Sequence, residues 1–182
     1  MTLGISIITA VRNSAETIRA CIESVKQQTY PVEHVIVDGQ STDGSLEIIS
    51  NLRTSDSIFL SEPDGGFYDA LNKGIGLASG DVIGILNADD VYANDRVLGK
   101  VAERFSGGMF ESCYGDLVYI DAIDTGQIRR FWRAGPYHSG RFLQGWMPPH
   151  PTFFVRREVY EQYGGFNLEL GTAADYELML RF

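Results

Sequence analysis

Asp81-Val-Ile-Gly-Ile-Leu-Asn-Ala-Asp-Asp90 is the stretch whose reading decides the fold. Val82, Ile83, Ile85 and Leu86 make a short apolar run, the pattern of a central strand covered on both faces. The run stops at Asn87, and Asp89 and Asp90 stand where the chain leaves the sheet. Two like charges side by side cost folding energy unless something compensates. A divalent cation is one compensation, because hard cations choose carboxylate oxygen. An acidic turn that caps the next helix is the alternative. Ligands of open α/β sheets bind outside the carboxyl ends of the strands, so the pair falls on the edge where chemistry is expected.

The same strand-then-loop pattern recurs upstream. Residues 5–9 read as strand one, followed by the turn 10–13. Asn13, with Glu16 three residues on, reads as a capping box opening a helix whose apolar face is Ile18, Cys21, Ile22 and Val25. Residues 34–37 form strand two, closing on Asp38; a polar loop, 39–44, leads to a short helix over 45–52. Residues 57–60 are strand three, 62–66 a turn by composition, and 68–78 a helix. Strands alternating with helices at these lengths imply βαβ units and a parallel sheet. Right-handed crossovers put every strand's carboxyl end on one edge. Residues 9–13, Asp38 and the Asp89–Asp90 pair are therefore expected to converge there.

Downstream the pattern changes. Asn94 is expected to cap a helix running to Phe105. Residues 112–120 and 127–132 read as strands joined by the loop 121–126, so the second half adds mixed or antiparallel strands. Residues 136–151 are irregular, rich in Gly, Pro and aromatics, and contain His138 and His150; long loops in compact domains tend to be functional. A strand over 152–155 and a helix over 157–163, stopped by Gly164-Gly165, precede a last helix from Thr172 to Phe182. That helix lacks a C-cap and leaves Leu178, Met179 and Phe182 needing partners, so truncation at the C-terminus is one reading, and whether the natural chain continues past Phe182 is not legible.

The bulk numbers fit one domain, 1–182, with a real core: 44% of residues are hydrophobic and 21% charged. A net charge of −9 argues against nucleic acid as the partner, since phosphate backbones recruit Lys and Arg. Cys21 and Cys113 fit neither a metal spacing nor a disulfide framework, so a reducing compartment is the default. The N-terminus has no basic signal region, and no apolar stretch is long enough to span a bilayer. Gly74-Ile-Gly-Leu-Ala-Ser-Gly80 has the wrong glycine spacing for a dinucleotide fingerprint, and it ends a helix instead of opening one.

Five motifs, in this order and spacing, give the chain its resemblance to a known family. They are Ile7-Ile-Thr-Ala-Val-Arg-Asn13, Ile36-Val-Asp-Gly-Gln-Ser-Thr-Asp-Gly44, Ala70-Leu-Asn-Lys-Gly-Ile75, Leu86-Asn-Ala-Asp-Asp90 and Ala173-Ala-Asp-Tyr-Glu177. Over essentially its whole length the chain resembles the inverting glycosyltransferases of family 2, which have the GT-A fold. Within them it looks most like bacterial enzymes of exopolysaccharide, colanic-acid or lipopolysaccharide synthesis. The resemblance implies an α/β GT-A fold with residues 1–90 as the nucleotide-sugar half and 91–182 as the acceptor and catalytic half. It implies transfer of a sugar, with inversion, from a nucleotide-diphospho-sugar to a glycan or lipid-linked acceptor.

The resemblance also implies roles for residues. Asp38 matches an acid that accepts a hydrogen bond from the base, uracil N3–H being a good donor; capping the following loop is the alternative. Thr9, Val11 and Arg12 match the wall around base and ribose, although Arg12 could be a surface cation. Asn72 and Lys73 match a segment near ribose and diphosphate, or a solvated helix face. Asp89 and Asp90 match the D-x-D region that holds Mn²⁺ or Mg²⁺, with Asp90 the main ligand, Asp89 on metal or donor sugar, and Asn87 where many relatives carry Asp. Asp175 matches the catalytic base, with Ala174 in place of the usual preceding acid; a first-turn helix charge is its alternative. His150 reads as a third metal ligand, a phosphate contact or a packed loop histidine. Trp146, Met147 and Phe142 read as an acceptor platform or a hydrophobic satellite cluster.

The setting this implies is cytoplasmic, with possible peripheral association at the inner membrane face, where such acceptors lie; the oligomeric state is not legible. Two rivals remain. A sugar-nucleotide nucleotidyltransferase would want glycine in the loop after strand one, and residues 10–15 have none. A degenerate domain that binds sugar nucleotide without turnover fits Ala174.

Overall fold

Seven consecutive buried residues, Ile5–Val11, form β1, the strand around which the sheet is built. Five of the seven are β-branched, the side chains that pack well on a pleated surface. The computed structural model describes residues 3–122 and 124–182. Met1, Thr2 and Ile123, the last within the expected 121–126 loop, lie outside the described residues. β1 is paired in parallel on both sides. β2 (Glu33–Asp38) runs in register from Ser6↔Glu33 to Val11↔Asp38, and β4 (Val82–Ile85) from Ile5↔Val82 to Ile8↔Ile85. β3 (Ile58–Ser61) extends the parallel half beyond β2. On the other flank β8 (Phe154–Arg156) pairs antiparallel with β4, and β5 (Ser112–Cys113) antiparallel with β8. The order β3-β2-β1-β4-β8-β5 is the mostly parallel sheet with a mixed second half that the sequence implies.

Helices cover both faces. Ile5, Ile7 and Ile36 face α1 (Ile18–Lys26), α2 (Ser45–Leu52) and α4 (Val97–Phe105), meeting Ile22, Ile49 and Phe105. Ile8, Val35, Val37 and Ile83 face α3 (Phe67–Leu77), α5 (Arg157–Tyr163) and α6 (Ala174–Arg181), meeting Leu71, Tyr160 and Leu178. Two-sided burial explains why β4 reads as a continuous apolar run. It also explains Gly84: a Cβ there would come within 2.4 Å of the Phe154 ring, so only glycine lets β8 lie against β4.

The structure corrects four local expectations. Asn13 does not cap α1, which starts at Ile18 after Thr17; its backbone is left-handed (φ 51°), a region asparagine tolerates. Asn94 accepts from the Arg96 amide at 3.0 Å, an Asx turn one step before α4 begins at Val97. The strand expected over 112–120 divides at Gly115-Asp116. β5 joins the main sheet, while β6 (Leu117–Ile120) pairs antiparallel with β7 (Ile128–Trp132) in a separate two-stranded sheet. The break is fixed by side chains, since the Thr152 hydroxyl donates to Gly115 O at 2.9 Å and Asp116 accepts from the Ala134 amide at 2.9 Å. The last helix starts at Ala174, because Gly171 (φ 52°) kinks the 3-10 turn that precedes it.

Below the carboxyl edge the core holds an imidazole. His34 is buried, and its Nε2 sits 3.0 Å from the Thr9 hydroxyl. Burial pushes the His34 pKa down to about 4. An unfolded histidine titrates near 6.5, so between those values the unfolded chain takes up a proton that the native one refuses. Stability from this residue is present above about pH 6.5 and is lost as the pH falls toward 4. Urea unfolding at pH 7 and pH 4.5 is expected to differ by about 2–3 kcal/mol more in the wild type than in His34→Gln. Equal differences in the two proteins would remove His34 as the cause.

Candidate active site

The carboxyl ends of β1, β2, β3 and β4 open into one cleft of about 700 Å³. Its walls are loops, and side chains stitch those loops to one another. The Asn13 amide donates to the Ser41 hydroxyl at 2.9 Å, and Asn13 Oδ1 accepts from the Thr42 amide at 2.8 Å. Asp43 accepts from the Ala15 amide at 2.9 Å and from Ser45, whose hydroxyl in turn takes the Ser14 amide at 2.8 Å. The Ser45 and Ala15 hydrogen bonds hold the Asp43 carboxyl below its ordinary pKa. Asp64 accepts from the Gly66 amide at 3.0 Å and faces Arg12 at 3.9 Å. It fits only because residue 39 is glycine, since a Cβ there would meet Asp64 Oδ2 at 2.3 Å.

The segment after β4 makes a tight turn. The Asp90 amide donates to Asn87 O at 3.0 Å, and Asn87 Nδ2 donates to the Asp90 carboxylate at 2.8 Å. Burial first, and then the charge of Asp89, push the Asp90 carboxyl up, while the Asn87 amide pulls it back. Asp89 is exposed and lines the cleft. Asn87 Oδ1 is buried without a hydrogen-bond partner, and so is His150 Nε2; both residues line the cleft. Buried acceptors left unpaired are uncommon and call for an explanation.

His150 enters from the other half of the chain, on a 3-10 turn, His150–Thr152, that leads into β8. Its ring stands edge-on to Phe166, with centroids 5.7 Å apart. Burial lowers its pKa, and the charge of Asp175 works against that. Asp175 is in the first turn of α6, its carboxylate accepting the Tyr176 amide at 2.8 Å. Asp175 also raises the Tyr68 phenol, after burial, so the three groups are neighbours; of them only His150 is on the cleft wall.

Of the residues singled out in the sequence, Val11, Arg12, Asp89 and His150 lie on the cleft wall. Thr9 and Asp38 do not; they are wholly buried beneath it. The Asp38 carboxylate accepts from the Ser41 amide and hydroxyl and from the Ser61 hydroxyl, the loop-capping alternative. Asp90 takes a hydrogen bond from Asn87 and is not on the cleft wall, whereas Asp89 is. Asn72 is committed elsewhere: Nδ2 donates to Phe166 O at 2.9 Å and Oδ1 accepts from Phe166 N at 2.8 Å. Lys73 pairs with Glu62 at 2.8 Å and donates to Pro63 O, bracing the loop before α3. Trp146 and Phe142 pack with Tyr114, Tyr137 and Tyr176 as an aromatic cluster. Among the described residues no three His, Cys, Asp or Glu side chains are grouped to hold a metal ion. Sequence reasoning passed over Glu16, Asp43 and Asp64 as cleft acids. The Asp-Gly pairs at 43–44 and 64–65 were their only signal.

Comparison with known proteins adds to this geometry. The family model described as Glycosyl transferase family 2 matches residues 6–164. An uncharacterized glycosyltransferase of Mycobacterium tuberculosis is 33% identical over 97% of this chain and 68% of its own length. A PGL/p-HBAD biosynthesis glycosyltransferase of Mycobacterium bovis is 34% identical over 97% of this chain and 68% of its own. Residues 1–349 of S. aureus TarS superpose with a TM-score of 0.75 at 21% identity, over 98% of this chain and 55% of that one. The mannosyltransferase PcManGT of Pyrobaculum calidifontis, solved with GDP-Man and Mn2+, gives 0.72 at 19% identity, over 96% of this chain and 50% of that one. The chain thus spans about two thirds of the curated relatives and about half of these solved structures.

The double hydrogen bond of Asn72 gives a direct test of its place. Asn72→Ala leaves the amide and carbonyl of buried Phe166 without partners and is expected to cost about 2–3 kcal/mol in urea unfolding. A loss below about 0.5 kcal/mol, the range of ordinary surface substitutions, would show that the pair contributes nothing.

Proposed function

The chain belongs to glycosyl transferase family 2, and on that premise we propose that it transfers a sugar from a nucleoside-diphosphate donor to a glycan or lipid-linked acceptor, with inversion at the anomeric carbon. One observation carries the reading. Among the described residues the cleft presents the carboxylates of Glu16, Asp43 and Asp89, with the nearly buried Asp64 facing the single arginine of the wall, Arg12. A diphosphate cannot approach such a surface without a counter-charge. A divalent cation carried in with the diphosphate supplies it, since ions of the Mg²⁺ type bind through one or two carboxylates plus substrate phosphates. The unpaired Asn87 Oδ1 and His150 Nε2, which line the same cleft as Asp89, are donors of the right kind, one oxygen and one nitrogen. The donor set fits an ion shared with substrate better than one caged by protein. When bound, the ion neutralises charge on the leaving diphosphate.

The remaining steps fall to the chain itself. Asp175 takes the proton from the acceptor hydroxyl as that oxygen attacks the anomeric carbon. A single displacement from the face opposite the leaving group inverts the configuration. Tyr68 and His150, which share the neighbourhood of Asp175, hold the acceptor end of the cleft in shape. Val11 and Arg12 form the wall for base and ribose. Asp38, beneath them, orients the 39–45 loop by holding Ser41. The solved complexes of TarS with UDP-GlcNAc and of PcManGT with GDP-Man support a nucleotide-sugar donor. The PGL/p-HBAD relatives support an acceptor of the glycolipid kind.

Thermal unfolding against UDP, GDP and dTDP, with and without Mn²⁺, tests the proposal. A nucleotide at a hundred times its dissociation constant is expected to stabilise by about 2.7 kcal/mol, and only when Mn²⁺ is present. Asp89→Ala is expected to abolish the Mn²⁺ dependence. Absence of any shift with all three nucleotides would overturn the donor site. Asp175→Asn is expected to keep the full nucleotide shift while losing turnover of the donor by at least about a hundred-fold. Retained turnover in that variant would remove Asp175 as the base.

A further inference from the structure

Arg141 is half-buried, and its own stretch of chain offers it no acid: residues 125–157 contain no Asp or Glu, in a protein whose net charge is −9. Its guanidinium carbon lies 4.4 Å from the centre of the Trp146 ring. One N–H donates to Pro136 O at 2.7 Å; among the described residues no acceptor takes the other four, and no carboxylate lies within 4.0 Å. Asp116 and Asp175, on segments packed against this loop, are already engaged by backbone amides, of Ala134 at 2.9 Å and of Tyr176 at 2.8 Å. A charge drawn partly out of water and left unpaired destabilises the fold. An anion from outside relieves it, because the planar guanidinium fork matches a carboxylate or a phosphate.

The loop around Arg141 is a fixed cradle. The Tyr114 hydroxyl donates to Gly135 O at 3.0 Å, Trp146 Nε1 to Ala134 O at 3.1 Å and the Tyr176 hydroxyl to Phe142 O. Gly135, Gly140 and Gly145 take left-handed backbone (φ 68°, 85° and 77°), which folds the loop back on itself. Tyr137 is 55% exposed, its ring centre 6.0 Å from that of Trp146 and 6.3 Å from that of Phe142. Tyr176 follows Asp175 in α6, and its ring meets Phe142 with centroids 5.6 Å apart, so the cradle is tied to the helix that carries the proposed base. We propose that residues 134–147 hold the acceptor and select an anionic saccharide, a sugar bearing a carboxylate or a phosphate. The anion meets Arg141, and the apolar face of the sugar ring lies on Tyr137. Its role as acceptor rests on the transferase reading above, whereas its binding needs no donor.

Trp146 reports on this contact, and Trp132→Phe leaves it the only tryptophan. Its fluorescence is titrated, without donor, with methyl β-glucuronide, glucose 1-phosphate and methyl β-glucoside. At least one charged sugar is expected to bind about ten-fold or more tighter than the neutral one, and the better of the two tells carboxylate from phosphate. Arg141→Gln is expected to erase that preference. Tyr137→Ala, a change at an exposed ring, is expected to weaken all the sugars about five-fold and to keep the preference. Melting temperatures check the fold of each variant. Equal binding of the charged and neutral sugars, no response to any of them, a preference that survives Arg141→Gln, or undiminished binding by the Tyr137 variant would overturn the proposal. So would competition between the charged sugar and UDP or GDP with Mn²⁺ in the melting assay, because that places the sugar in the donor cleft. Intact charged-sugar binding without any nucleotide shift would count against the donor site alone.

Discussion

Asp38 has no exposed surface, yet its carboxylate is met by the amide and hydroxyl of Ser41 and the hydroxyl of Ser61. A carboxylate withdrawn from water is tolerable only when hydrogen bonds replace its hydration. Here the replacement also joins elements. Asp38 is the last residue of β2, Ser61 the last of β3, and Ser41 begins the staple that reaches across to Asn13 beyond β1. The backbone follows the same seam, with Gly39 N donating to Val11 O at 2.9 Å and Glu62 N to Asp38 O at 3.0 Å. Three strand ends are thus fixed relative to one another at the point where the sheet gives way to loops. The cleft walls hang from that point.

Polar side chains, more than apolar packing, shape the site. Asp43, Asp64, Asn13 and Ser45 each satisfy backbone amides that a loop would otherwise leave bare. The result is a rigid wall rich in carboxylates. Under the proposed function those acids would also receive the cation that accompanies a diphosphate. Helix α3 serves both halves. Lys73 braces the loop before α3, while Asn72 grips Phe166 from the second half, and Phe166 in turn touches Tyr68 and His150. The two halves of the chain therefore meet at a clamp and not across a loose boundary.

Some of this was legible in the sequence because it depends on local pattern. The apolar run of β4, the 3.6-residue spacing of α1 and the alternation of strands with helices needed no partner to be recognised. The Gly164-Gly165 stop placed the end of α5 correctly. Residues whose role depends on a distant partner were misread. Asn13 has the composition of a helix cap, but Ser41 and Thr42 lie within its reach and claim it. Asn72 looks like a free helix-face amide, and its partner is 94 residues away. Between Asp89 and Asp90 only the turn made by Asn87 decides which carboxylate faces the cleft.

The sequence by itself determined the class of sheet, the edge on which its acids would gather and the family whose motifs it carries. Hydrophobic period and motif order are properties of short segments, and they survive being read one segment at a time. Only the tertiary structure decided which polar groups face the cleft and which are spent inside the protein. It buried Thr9 and Asp38, turned Asp90 away, brought Asp64 against Arg12 and set His150 beside Asp175. Hydrogen bonds and charges act over a few ångströms between residues far apart in the chain, so their partners are assigned by packing and by nothing written nearby.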